Sequence, residues 1–336
     1  MPATDPPSPL TAARDTAVAC DLSAFAVLAI EGPDAAAFLQ GQLSNDIAAL
    51  LPGTLQYTSY NSPGGRMLAN FVLWRDGPEH FRALLPAGIA AAVARRLGMF
   101  VLRAKVKVAD ISATVACFGV GGPGAGDALL AALGALPTEH AALRHGDATL
   151  LAMARDRIVV VAPAASADAT RAALAGHAVP ADAAVWQWLL IRAGVPVVTA
   201  ATQDKFVPQT ANWDVLGGIS FRKGCYTGQE IVARTQYLGR LKERAGVFRT
   251  EAPAVAPGDR LYSPVFDDQP CGTVVNAAPA PDGGIEFVAV VQLAAAASGT
   301  LALGAPGGPP VTPLPLPYAL PDPVATPRPG PRATRS

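Results

Sequence analysis

Lys223-Gly224-Cys225-Tyr226-Thr227-Gly228-Gln229-Glu230, continued by Ile231-Val232-Ala233-Arg234, gathers polar side chains and glycine in a chain otherwise poor in charge. Two positions without a Cβ bracket Cys225 and Tyr226, so the backbone can turn tightly there and admit a close neighbour or ligand. Gln229 and Glu230 precede an apolar run, which reads as a turn feeding the first turn of a helix. A helix start just after Cys225 supplies amide dipoles, and Arg222 and Lys223 supply positive charge; both favour a thiolate over a thiol. This predicts a reactive, partly exposed sulfur, with a buried structural cysteine as the alternative. Glu230 is the nearest acid or base. Its other reading, a helical i, i+4 partner of Arg234, is the simpler one.

Around this segment the composition sets bounds. The chain has 336 residues, 51% hydrophobic and 15% charged, which suits two or three packed units and excludes wholesale disorder. Lys plus Arg equals Asp plus Glu, 26 against 26, so no global field draws in nucleic acid or a membrane surface. The run Arg234, Arg240, Lys242, Arg244 reads as a solvated basic face. Four cysteines without a Cys-x-x-Cys, and four scattered histidines, give neither a disulfide framework nor a self-contained metal site. Cys20, Cys117 and Cys271 stand in apolar contexts and read as inert. No histidine lies near Cys225, which leaves a cysteine-hydrolase arrangement without its base. The first residues lack the basic and apolar regions of a signal peptide, and the apolar runs are too short to span a bilayer, so a cytoplasmic protein with reduced thiols is expected.

Strands are expected over 25–30, 68–74, 81–85, 101–108, 114–120 and 158–161, and helices from Gly32-Pro33-Asp34 through Leu43, from Pro86 to Gly98, and over 127–136, 168–174 and 183–193. Over 101–108 the alternation of Leu102, Ala104, Val106 and Val108 with Arg103, Lys105 and Lys107 is that of a half-buried strand. Gly119-Val120-Gly121-Gly122-Pro123-Gly124 lacks the spacing of a nucleotide loop and reads as a flexible connector. From Ala245 onward short strands over 245–249, 260–262, 271–276 and 286–291 are separated by Pro/Gly turns, a small all-β unit. The division expected is a loose arm over 1–16, an α+β region of two interleaved subdomains over 17–240, a β-barrel over 241–305 and a disordered proline-rich tail over 306–336.

The Cys225 segment resembles the signature of the YgfZ family, folate-binding relatives of the glycine-cleavage T-protein (aminomethyltransferase). Gly32-Pro33-Asp34-Ala35 with Phe38-Leu39-Gln40-Gly41-Gln42-Leu43-Ser44-Asn45-Asp46, Asn61-Ser62-Pro63-Gly64-Gly65-Arg66 and Arg192-Ala193-Gly194-Val195-Pro196 are similar to further blocks of that family. The resemblance implies a T-protein-like α+β fold, with three subdomains in a ring around a channel for tetrahydrofolate and a C-terminal β-barrel. It also implies an accessory role in assembling or repairing iron–sulfur proteins, with an indirect effect on tRNA modification, no direct nucleic-acid contact and no permanently bound metal. Cys225 would be the functional thiol, assisted by Lys223 and Glu230, with Gly224, Tyr226, Gly228, Gln229 and Arg234 completing the motif. Ala69-Asn70 falls where the aminomethyltransferases carry their catalytic carboxylate, and neither side chain can act as a general base. Arg192 replaces their folate-contacting Glu. Asn70, Tyr57, Gln209, Asn212 and Tyr237 are the candidate folate contacts. A folate-dependent aminomethyl or other one-carbon transferase using Cys225 or Glu230 is the alternative activity, and a plain interaction scaffold the third.

Overall fold

Runs of β-branched, aromatic and leucine residues favour strands in the first third of the chain. In the computed structural model, which describes residues 7–237 and 241–321, they build a five-stranded antiparallel sheet. Its order is Leu55–Asn61, Met67–Gly77, His80–Pro86, Phe25–Glu31, Lys107–Asp110. Helices Ala35–Gln42 and Ala87–Met99 close one core against it, with Ile30, Leu39, Phe81, Ile89 and Val93 buried. A second sheet runs Val179–Ala181, Val18–Asp21, Val115–Gly121, Arg157–Pro163, Ala148–Ala154, Ala142–His145, antiparallel except for its first pair. Helices Ala125–Leu133 and Ala167–Ala175 pack on it. The third unit is a closed barrel in the order Glu243–Thr250, Ile285–Gln292, Pro270–Pro279, Arg260–Tyr262, Leu301–Leu303, Pro310–Leu314.

Helix Ala183–Arg192 joins the three. Asp182 caps it as its sequence predicts, its carboxylate accepting from the amides of Ala184 and Val185 at 2.9 and 3.3 Å. The helix is apolar nearly all round, with Val185, Trp186, Trp188, Leu189, Leu190 and Ile191 buried, because it is enclosed between a sheet and the barrel. Two glycines make its seat. A Cβ on Gly119 would lie 2.5 Å from the Trp186 ring, and one on Gly121 only 2.2 Å from Leu189 Cδ1. The glycine run read as a flexible connector is therefore a strand for its first three positions, and its missing side chains form the groove that receives the helix.

Near both limits of the described residues the chain is more regular than its composition suggests. Pro9–Asp15 is a helix capped by Ser8, with Ala12 and Ala13 buried, so the expected loose arm is structured from residue 9. Pro310–Leu314 pairs with both Glu243–Thr250 and Leu301–Leu303, and this strand closes the barrel. The barrel thus extends to 314 rather than 305. Beyond it the Tyr318 hydroxyl donates to the Gly194 carbonyl at 2.6 Å. Residues 1–6, 238–240 (with Arg240) and 322–336 lie outside the described residues.

The expected strand over 101–108 shrinks to Lys107–Asp110. The amide of Lys105 donates to the Asp34 carboxylate at 2.7 Å, and its carbonyl sits where a Cβ on Gly32 would be. Tied to that turn, residues 101–106 leave the sheet, and Leu102 stands 87% exposed.

Candidate functional site

The bend at Cys225 is held from both sides. Lys223 and Tyr226 turn inward, 8% and 7% exposed, while Gly224 and Cys225 between them face solvent. The Lys223 ammonium donates to the carbonyls of Gln40 and Leu43 at 2.5 Å each and lies 4.7 Å from the centre of the Tyr226 ring. Those carbonyls end the helix Ala35–Gln42, the negative pole of its dipole and a favourable seat for a cation. Lys223 is therefore committed to the interior, a correction to its expected role as a free charge beside the sulfur. Burial pushes the Tyr226 phenol well above its usual range. The buried alternative for Cys225 fails, whereas Cys20, Cys117 and Cys271 are buried and the first two thiols are pushed up to about 12.

Gly228 and the turn Asn61-Ser62-Pro63-Gly64-Gly65-Arg66 lock together. Gly228 has φ +80°, and a Cβ there would meet the Ser62 carbonyl at 2.5 Å and Gly65 Cα at 2.8 Å. Gly65, at φ +73°, leaves room for Ile231 in turn. The absent side chain of Gly228 thus admits backbone rather than a ligand, whereas Gly224 has nothing within 4 Å of a built Cβ. Ser44 and Asn45 complete the seat: Ser44 Oγ donates to the Gly218 carbonyl at 2.6 Å, Asn45 Nδ2 to the Gly217 carbonyl at 2.7 Å, and the Ser220 amide to the Ser44 carbonyl at 3.0 Å. The helix expected after Cys225 is Gln229–Tyr237, and the Gln229 amide donates to the Tyr226 carbonyl at 3.1 Å. Glu230 and Arg234 are both exposed on it, and among the described residues no ion pair joins them. Two solvated side chains gain little from pairing.

Burial lowers Lys223 from 10.5 to about 8. Unfolded, this lysine keeps its proton to about pH 10.5, so between the two values the unfolded chain binds more protons. Its contribution to stability is therefore full above 10.5 and is lost as pH falls through 8. Lysine Cε resonances followed by NMR should show one group titrating near pH 8, and that signal should be absent in Lys223→Met.

A cleft of about 570 Å³ lies where the units meet. Tyr57 enters it from the first sheet, Asp156 and Arg157 from the second, Trp188 and Arg192 from the joining helix, and Tyr318 from the segment after the barrel. A smaller apolar cavity of about 40 Å³ shares Tyr57, Met153 and Val195 with it. Tyr57 packs on Trp213, ring centres 5.3 Å apart. Trp188 Nε1 donates to Glu286 Oε2 at 2.9 Å, and the same carboxylate faces Arg192 at 3.6 Å. Cys225 is not among the residues lining this cleft.

Of the five candidate folate contacts the cleft receives Tyr57 alone. Asn70 lines the smaller cavity, but its Nδ2 donates to the Pro196 carbonyl at 2.7 Å and its Oδ1 accepts from the Val198 amide at 2.9 Å. Gln209 and Asn212 are fully buried and donate to backbone, Gln209 to Val232 O at 2.7 Å and Asn212 to Ala245 O at 2.9 Å. Tyr237 is 45% exposed and packs edge-on against Phe221. Polar type alone selected these residues; three of the four that fall elsewhere are tied to backbone, Asn70 at both ends of its amide, Gln209 and Asn212 through the nitrogen while their buried side-chain oxygens have no partner among the described residues. Trp188, Arg157 and Tyr318 were missed. The charged turn Arg155-Asp156-Arg157 was the available signal for one of them; Tyr318 lay in the segment read as tail.

Two sheet-and-helix units, a closed barrel and a cleft between them define the class of the glycine-cleavage T-protein fold. The chain matches the GCVT N-terminal domain family over residues 9–164. The crystal structure of glycine cleavage system aminomethyltransferase T from Bartonella henselae is similar to it with a TM-score of 0.74 at 20% identity, over 90% of this chain and 86% of that one. The tRNA-modifying protein YgfZ of Pectobacterium carotovorum is 30% identical over 320 residues, 94% of this chain and 95% of the relative. That of Serratia proteamaculans is 32% identical over 304 residues, 89% and 92% of the two chains. The chain belongs to the YgfZ family. No helix among the described residues is long and apolar enough to cross a membrane.

Proposed function

We propose that this protein is a cytoplasmic, folate-binding accessory factor for the assembly or repair of iron–sulfur proteins, and that any effect on tRNA modification runs through those clients. The observation that carries the reading is the exposure of one thiol, Cys225, at the tip of a bend fixed by buried Lys223 and Tyr226. A lone cysteine cannot hold a cluster; it supports transient ligation shared with a partner, or thiol exchange. The cleft fits a tetrahydrofolate in size and in chemistry, since drug-sized ligands occupy about 300–1,000 Å³. Tyr57 and Trp188 offer aromatic surface for the pterin and Arg157 and Arg192 offer charge for the glutamate carboxylates. Bound folate would supply one-carbon chemistry or serve as a ligand that orders the cleft. The tied side chain of Asn70, at the aminomethyltransferases' carboxylate position, argues against aminomethyl transfer by a carboxylate base.

Calorimetry should give a measurable heat with tetrahydrofolate, weakened by about tenfold, or about 1.4 kcal/mol, in Arg157→Ala. A deletion strain should be rescued by the wild-type gene and not by Cys225→Ala, with iron–sulfur enzyme activities remaining low. Absence of binding heat sinks the folate half of the reading; full rescue by Cys225→Ala sinks the thiol half.

A further inference from the structure

The turn between helix Ala87–Met99 and strand Lys107–Asp110 packs Val101 and Val106 against the first core, and its other side chains, with Met99 before it, are taken up by neither that core nor the cleft. Of the eight large hydrophobic side chains exposed among the described residues, Met99, Phe100 and Leu102 fall within four consecutive positions, at 61%, 42% and 87% exposure. Single exposed apolar residues are ordinary, but a cluster marks a contact surface. Leu102 is also held at φ +49°, the left-handed region that side chains other than glycine disfavour. Such a conformation persists where the surrounding structure imposes it, and it is enriched at functional positions. Here the imposing contact is the tie of Lys105 to Asp34 and Gly32.

Charge on the loop is one-sided. From Ala87 to Ala109 the chain carries Arg95, Arg96, Arg103, Lys105 and Lys107 and no carboxylate, in a protein whose charges balance only over the whole chain. Of the carboxylates on the neighbouring elements, Asp34 accepts from the Lys105 amide, Glu31 pairs with Arg82 at 2.6 Å and Asp110 accepts from Ser112, while Glu79, whose carbonyl accepts from the Gly32 amide, is exposed. The loop is also close to the thiol bend. Lys105 sits at the first end of helix Ala35–Gln42 and Lys223 at the other, so eight residues at 1.5 Å each put the two anchors about 12 Å apart along its axis.

We propose that this loop is a docking surface for an acidic protein whose apolar pocket takes Leu102 and Phe100, and that docking brings the partner to Cys225. Its identity as an iron–sulfur client rests on the function proposed above; the acidic and apolar character of the partner does not. Three exposed apolar side chains bury too little surface to hold a membrane. One aromatic ring, Phe100, makes a poor stacking platform for RNA. An acidic rim around an apolar pocket satisfies the cations and the exposed side chains together.

The test places a photo-crosslinking amino acid at position 102 of the full chain in cells, with position 265, exposed on the barrel, as control. The expected product is a protein adduct formed at 102 and not at 265, whose crosslinked peptide carries carboxylates beside apolar residues. It should disappear in Arg103→Glu, and Leu102→Ser should weaken binding to the purified partner at least tenfold. Equal adducts at both positions, adducts to RNA or lipid, no adduct at 102, or indifference to Arg103→Glu each overturn the proposal. Tetrahydrofolate binding and Cys225 alkylation, measured on the same variants, should be unchanged. A partner of the expected chemistry that carries no cluster leaves the docking surface standing and removes only its link to iron–sulfur chemistry.

Discussion

Asp214→Ala should lower the unfolding free energy by about 3–5 kcal/mol, the usual loss when one partner of a buried ion pair is removed. The two Asp214 oxygens accept from Arg244 Nη1 and Nη2 at 2.6 and 2.9 Å, and the side chains are 9% and 8% exposed. Arg244 Nη1 also donates to the Gln209 carbonyl at 2.7 Å. Without the carboxylate a guanidinium stays desolvated with that one carbonyl as its remaining acceptor. The damage is not local to the barrel, because Gln209 in turn holds Val232 in the helix that follows Cys225. Urea unfolding checks this: the midpoint should fall with the slope unchanged. Replacing both partners by leucine should recover much of the loss, since the uncompensated charge is what destabilises. A midpoint within error of wild type for Asp214→Ala would show that the pair is solvated.

Gly228→Ala should cost about 2–5 kcal/mol, combining the left-handed backbone penalty with overpacking. The new methyl would meet two backbone atoms, the Ser62 carbonyl and Gly65 Cα, neither of which can rotate away. Relief requires the helix Gln229–Tyr237 to lift from the glycine turn. Gly224→Ala is the matched control, four residues earlier in the same motif with open space around it; it should stay within about 0.5 kcal/mol of wild type. The contrast is diagnostic. Equal effects at both positions would mean that the motif tolerates displacement from the turn and that the two glycines share a role at the thiol.

Much of the fold was legible in the sequence. Strong local patterns marked Phe25–Glu31, Arg157–Pro163 and the four early barrel strands, and Asp182 announced the helix it caps. Where reading failed, a distant contact outweighed the local pattern. The alternation before Lys107 was real, but Asp34 and Gly32 redirect the chain that carries it. Proline density hid Pro310–Leu314, because proline argues against a strand until two waiting barrel edges are available to pair with it. In the site, the motif identified the exposed thiol, while its lysine proved to be an anchor and Asn70, Gln209 and Asn212, chosen for folate, proved to donate to backbone carbonyls.

The residues from Lys223 to Glu230 declare by themselves where a cysteine, two glycines and a helix start must fall, since turns and caps are written in adjacent side chains. Three other things depend on segments that are remote along the chain. They are the burial of Lys223 against Gln40 and Leu43, the closure of Gly228 on Gly65, and the cleft shared by Tyr57, Arg157, Trp188 and Tyr318. No local periodicity records which distant backbone will occupy the space a glycine leaves open; that was decided only when the units packed.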